Sequence, residues 1–164
     1  MSVTEFSADY LDSLTGLALA SPRRRQHRNV HADYTEQVQR LFNAIEPNSY
    51  IRPHQHGLAP RREMMIAIRG RLVLIVFDDA GNISTCHHFA ANQPDTAVGV
   101  EVPVACWHTV VALEPGSILL EVKAGPFDPL TPKEMAPWAP EEGTAAASSY
   151  LEMLRAQSEN TNQN

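Results

Sequence analysis

The residues whose types and spacing are best suited to chemistry are His54, His56, Glu63 and His108. Residues two apart on an extended strand project from the same face, so the imidazoles of His54-Gln55-His56 can converge on one ion. Glu63 follows across a loop containing Gly57 and Pro60. If that loop closes a hairpin, the carboxylate on the return strand faces the two histidines. His108 ends the run Pro103-Val104-Ala105-Cys106-Trp107-His108 and brings a third imidazole just before another strand. Three histidines and one carboxylate form a ligand set for one divalent transition metal, with zinc, iron, nickel and manganese about equally suited. Each signal has a plainer reading when taken alone: His-x-His is common on exposed strands, and Glu63 can pair with Arg61 or Arg62 instead.

Arg52 and Tyr50 precede His54 by even steps, so on one extended strand they share its face and are expected to look into the same pocket. A guanidinium beside a metal suits two-point binding of a carboxylate or phosphate, the alternative being a salt bridge at the rim. Arg61 and Arg62 flank Glu63 and join Arg52 and Tyr50 as expected substrate-binding groups. The run Arg23, Arg24, Arg25 and Arg28 reads as a solvated basic face, an anion site or a contact for an acidic partner subunit. His87 and His88 point to opposite faces of their strand, which favours structural roles. Cys106 reads as a small packing residue, and Trp107 as cover for an edge or an interface or as a stacking platform for a sugar. No catalytic residue is assigned, because spacing does not separate a general base from a ligand.

The elements that must position these groups are short strands. From Ser49 onward, strand patterns cover Tyr50 to His56, Glu63 to Ile68, Leu72 to Phe77, Ile83 to Phe89, Val98 to Val102, Thr109 to Leu113 and Ser117 to Lys123. The turn Asp78-Asp79-Ala80-Gly81-Asn82 marks one hairpin clearly. So many strands in so short a stretch predict two packed sheets or a closed barrel. On the last strand Ile118, Leu120 and Val122 share one face and Leu119, Glu121 and Lys123 the other. Ahead of these strands, Phe6, Tyr10, Leu14 and Leu17 recur at helical spacing, with Ser7 or Thr4 as cap and Ser21-Pro22 as stop. Val38, Leu41, Phe42 and Ile45 suggest a second, weaker helical or mixed segment over Glu36 to Ile45. The expected organisation is an N-terminal helical extension over 1–48, a β-barrel over 49–127, and over 128–164 a proline-rich segment, a helix near Ala145 to Leu154 and a disordered tail from Gln157.

His54-x-His56, Glu63, Gly70, Pro103 and His108, in that order, resemble the two-part signature of the cupin superfamily. The resemblance implies an all-β core, a small double-stranded β-helix or jelly-roll barrel, with a metal in its mouth. Ala105 stands where that pattern usually has glycine, and Ala112 where it often has asparagine. The interval from His56 to Glu63 is longer than usual by an even number of residues, which preserves the facing of Glu63. Ser21 to His31, Asn43 to Arg62, Cys106 to Pro129 and Ala136 to Gly143 further resemble the WbuC family of cupin-fold metalloproteins. That resemblance implies a bacterial setting among O-antigen and other polysaccharide genes, without defining a reaction.

Composition bounds the remainder. The chain has 164 residues, 43% of them hydrophobic, and two cysteines, Cys86 and Cys106, which is no disulfide framework. Its apolar runs fall short of the roughly 18 residues a spanning helix needs, and acidic rather than basic residues precede Ala18-Leu19-Ala20, unlike a secretory leader. A cytoplasmic protein with reduced thiols is expected. The net charge of −6 argues against nucleic acid or an acidic membrane as partner. Ten arginines against four acids make 23–71 net +6, while the remainder is −12, an asymmetry that points to an anion handled by the first half. The leading expectation is a metal-dependent protein acting on a small anionic, carbohydrate-derived molecule, with isomerase, lyase, hydrolase and oxygenase chemistry all compatible. The alternative is a non-catalytic metal- or ligand-binding protein, a sensor or accessory factor. Pairing through an exposed strand edge predicts a homodimer.

Overall fold

The computed structural model describes residues 3–56, 61–130 and 133–160. Helix α1 (Ala8–Ala20) begins at Ser7, whose hydroxyl accepts from the Tyr10 amide at 3.2 Å, and ends at Ser21 ahead of Pro22. Its buried stripe is Leu11, Leu14 and Ala18. Leu17, expected on that stripe, is half exposed, because the stripe runs through Leu11 instead.

Ten strands follow or intervene: β1 (Arg25–Asn29), β2 (Val38–Ile45), β3 (His54–Gln55), β4 (Glu63–Arg69), β5 (Arg71–Phe77), β6 (Ile83–Ala90), β7 (Gly99–Val102), β8 (Trp107–Ala112), β9 (Ser117–Ala124) and β10 (Glu134–Met135). They form two five-stranded sheets, in the orders β1-β2-β9-β4-β7 and β10-β3-β8-β5-β6, and these strands pair with their neighbours in antiparallel fashion throughout. Ile45, Met65 and Leu119 from the first sheet meet Leu74, Phe89 and Val110 from the second in one core. Helix α1 covers the outer face of the first sheet through Leu11, Leu14, Phe42 and Ile118. Helix α2 (Ala145–Asn160) covers the second through Ala147, Leu151 and Leu154, packed on Val73, Ile75 and Val111. The result is a β-sheet core of cupin-like jelly-roll type with a helix at each end of the chain.

Three expectations are corrected. Residues 36–45 do not form a helix: β2 pairs along its whole length with β9, from Val38↔Ala124 to Ile45↔Ser117, and with β1 on its other side. The apparent helical stripe arises because both faces of β2 are covered, Phe42 and Ala44 by α1 and Leu41 and Ile45 by the space between the sheets. Residues 1–48 therefore supply two strands as well as a helix. The stretch from Tyr50 is not one strand, since only His54–Gln55 is paired; Pro53 has no amide hydrogen to donate. The helix also continues past Gln157 to Asn160, where Ser158 is fully buried; the rest of the expected tail, 161–164, lies outside the described residues.

Candidate metal centre

Sheet pairing assembles the site. β3 and β8 are neighbours with His54 directly opposite His108, and their rings lie 4.5 Å apart. Glu63 stands at the start of β4 in the other sheet, where it is paired with Val102 and Lys123. The carboxylate reaches across to the histidines: Oε1 is 3.0 Å from His56 Nε2 and Oε2 is 3.2 Å from His108 Nε2. Donor atoms of His54, Glu63 and His108 all lie within 4.8 Å of one another, and these three residues are buried.

Both central imidazoles are held for ligation. His54 Nδ1 lies 3.0 Å from the Arg52 carbonyl and His108 Nδ1 lies 2.9 Å from the Cys106 carbonyl. An Nδ1–H donated to a carbonyl leaves Nε2 as a lone-pair donor, which is the support a metal-binding histidine needs. Burial, reinforced by the Lys133 and His108 charges, pushes His54 well below its ordinary range and keeps the ring neutral. Glu63 Oε2 and His108 Nε2 are buried, face each other at 3.2 Å and have no other partner. Such orphaned groups are costly unless something binds them, so these residues fit a divalent ion. The cluster of His54, Glu63 and His108 is capable of coordinating one.

Lys123 and Glu121 support the carboxylate. Lys123 Nζ donates to Glu63 Oε1 at 3.1 Å and to Glu121 Oε1 at 2.6 Å. Burial opposes ionisation of Glu63, but the His108 and His56 rings and the Lys123 ammonium outweigh it and hold the carboxyl well below its usual range. Lys123 is raised, its two carboxylate partners outweighing desolvation. The contacts on Oε1 leave Oε2 turned toward His108.

These groups line one wall of a cavity of about 540 Å³ between the sheets. Period-two alternation explains its lining. Leu119, Glu121 and Lys123 face inward while Ile118 and Leu120 pack on α1, which settles the facing of β9. On β1, Arg25, His27 and Asn29 face inward, whereas Arg28 turns to α1, with its guanidinium 4.5 Å over the Tyr10 ring and bonded to Ser13. Lys133, just before β10, also lines the cavity. Burial lowers Lys133 to about 8; Glu121 and Glu63 oppose this, while Lys123 and Arg25 add to it.

The expected substrate-binding residues lie elsewhere. Tyr50 is buried against Leu151 and Leu154 and donates its hydroxyl to the Pro140 carbonyl at 3.0 Å. Arg52 donates to the Ala136 carbonyl at 2.9 Å. Arg61 donates to the Pro126 carbonyl at 2.5 Å, and Arg62 pairs with Glu101 at 2.8 Å on the surface. None of the four lines the cavity. Parity failed for Tyr50 and Arg52 because the chain before His54 is not paired strand. Arg23 and Arg25 line the cavity, yet both are tied to Glu142, at 2.8 Å each.

Other candidates are structural. His88 Nε2 meets the Ser158 carbonyl at 3.0 Å, tying β6 to α2, and Trp107 packs on the outer face near Trp138. Cys106 packs against the core, with its thiol raised by burial. Ala105, standing where the cupin pattern has glycine, adopts φ 54°, a left-handed conformation that explains why glycine is favoured there. His27, Asn29 and His31 were missed as cavity residues in the sequence; their spacing by two is the signal that could have found them, although Gln26 between them lines the cavity as well, and Lys133 carries no such periodic signal.

A family model described as a domain of unknown function (DUF6016) matches residues 6–89. No curated protein matches the chain. Among solved structures, KdgF from Halomonas sp. is similar at 16% identity and a TM-score of 0.51, covering 67% of this chain and 87% of that one. A point mutant of the oxalate decarboxylase OxdC of Bacillus subtilis is similar at 17% identity and a TM-score of 0.51; the match covers 66% of this chain but only 27% of the decarboxylase. Protein SO0799 from Shewanella oneidensis matches at 10% identity and a TM-score of 0.54, over 82% of this chain and 84% of that one. At these identities the likeness is one of fold.

Proposed function

This chain belongs to the DUF6016 family, and on that premise we propose that it is a cupin-like metalloprotein that binds a small anionic molecule beside a divalent transition metal held by His54, His56, Glu63 and His108. The observation that carries this reading is the convergence of buried His54, Glu63 and His108 donor atoms within 4.8 Å on the wall of a cavity. His56 contributes the fourth group, its Nε2 lying 3.0 Å from the same carboxylate. A bound divalent ion would supply Lewis acidity toward a ligand oxygen. The chain's own residues do the rest. Lys123, itself held by Glu121, donates to Glu63 Oε1 and leaves Oε2 toward His108, and the Arg52 and Cys106 carbonyls orient the His54 and His108 rings. The apolar floor of Ile45, Met65, Val110 and Leu119 keeps bulk water from the inner end of the cavity.

One likeness supports an anion as ligand. The decarboxylase of similar fold is named for oxalate, a small dianion, and the WbuC resemblance adds a setting in bacterial polysaccharide metabolism. The test is elemental analysis of purified wild type and His54→Ala, both checked for folding by circular dichroism. Wild type should carry about one equivalent of metal and the variant far less, because apparent affinity depends on every deprotonated ligand. Equal metal in the two proteins would refute the reading.

A further inference from the structure

Lys133 differs from every other cation lining the cavity. Lys123 is paired with Glu63 and Glu121, and Arg23 and Arg25 with Glu142. Among the described residues the Lys133 ammonium has no hydrogen bond and no ion pair, although it lines the same cavity. Among the described residues four cations face or rim the cavity against the three carboxylates Glu63, Glu121 and Glu142, so one positive charge is left over before any divalent ion is added. A largely buried ammonium that feels Glu121 and Glu63 only at a distance, with no carboxylate paired to it directly, is unfavourable, and a ligand carrying an oxyanion removes the deficit. Two further lining groups are also unpartnered. His31 is 5% exposed with Nε2 unbonded, and the Asn43 amide oxygen is buried and unbonded. An imidazole nitrogen and an amide oxygen suit hydroxyl groups, which both donate and accept.

We propose that Lys133 is the anchor for a carboxylate or phosphate of the cavity's ligand, and that His31 and Asn43 receive its hydroxyls, so that the ligand is a small hydroxylated oxyanion. The proposal rests on the reading of this cavity as a ligand site, and names the residues that choose the ligand.

The chain has only two lysines, which makes the test clean. Acetic anhydride at pH 8 should label Lys133 well ahead of the doubly paired Lys123, read by peptide mass spectrometry. D-gluconate and inorganic phosphate serve as probes, with D-glucose as the uncharged control, and metal content is measured on the same samples. Gluconate or phosphate should slow labelling of Lys133 at least about threefold, and glucose should not; protection by one probe and not the other separates carboxylate from phosphate recognition. By calorimetry Lys133→Met should weaken binding of the protecting anion at least tenfold, with Lys133→Arg restoring most of it. Asn43→Leu should weaken gluconate binding and spare phosphate; equal loss of both, or of neither, overturns the hydroxyl assignment. If neither anion protects Lys133 while metal is retained, the anchor is refuted and the metal centre stands. Protection without bound metal would leave the anchor in place and remove the metal.

Discussion

Glu63→Gln separates the two jobs of one carboxylate. Glutamine keeps the shape of the side chain but removes the charge that faces His56, His108 and Lys123 at 3.0, 3.2 and 3.1 Å. Deleting one partner of a buried ion pair costs about 3–5 kcal/mol. Here Lys123 keeps Glu121 at 2.6 Å, so a smaller loss of about 2 kcal/mol is expected for the metal-free protein. For a domain of this size that lowers Tm by about 4–8 °C. Metal adds a second, separable term. At a free concentration about 100 times Kd, a ligand that binds only the folded state stabilises it by about 2.7 kcal/mol. Wild type should therefore gain about 5–11 °C on adding zinc or manganese. Glu63→Gln should lose most of that gain. Differential scanning calorimetry with chelator, then with each metal, reads both terms. A metal-dependent rise of equal size in wild type and variant would refute the assignment of Glu63 as a ligand. An unchanged Tm in chelator would refute the account of the Lys123 network.

Glu142 is lowered to about 2 because hydrogen bonds and charge from Arg23 and Arg25 outweigh desolvation. The drop from 4.5 corresponds at face value to about 3 kcal/mol, but the side chain is 32% exposed and screening reduces this to about 1 kcal/mol. That stabilisation is present above pH 4.5 and is lost as the pH falls toward about 2, so the urea midpoints of wild type and Glu142→Gln should differ at pH 6 and converge in acid. Ala105→Gly relieves a left-handed alanine at φ 54°, and urea denaturation should show a gain of about 0.5–1 kcal/mol after the entropy lost by glycine is subtracted. Leu154→Ala empties a fully buried position under α2 and should cost about 2–5 kcal/mol by the same measurement, with metal content unchanged.

The ligand cluster was legible because strand parity is local. His54 and His108 each lie in a strand whose partner is the other, whereas the expected hairpin to Glu63 does not form: β4 belongs to the opposite sheet, and the carboxylate meets the histidines across the space between the sheets. The seven strands read from Ser49 onward correspond to β3 through β9, with the first reduced to two residues. What failed was non-local. Val38 to Ile45 has apolar residues on both faces, and only the pairing of β2 with β9 shows that a helix and a cavity each need one of them. Tyr50 and Arg52 were carried to the wrong side of the sheet because parity was extended through residues that no strand pairs. Lys133 lies within a proline-rich stretch with no periodicity, and its place in the cavity depends on β10 joining β3, through Met135↔His54.

The basic block illustrates how a charge pattern can be real and yet have a different meaning. Its arginines are engaged by the protein itself: Arg23 and Arg25 by Glu142, Arg28 by α1, Arg40 by Glu36, Arg69 by Asp12. Arg52 and Arg61 are engaged by backbone carbonyls. Arg23 and Arg25, the two arginines that line the cavity, spend their contacts on Glu142 rather than on a ligand. The asymmetry of +6 against −12 is thus largely a set of clasps by which the first half binds its own elements and the acidic C-terminal segment, as Glu142 shows. Among the described residues the cavity cation without a hydrogen-bonded or ion-paired partner is Lys133, and the proposed recognition of an outside anion falls to it, from the acidic part of the chain.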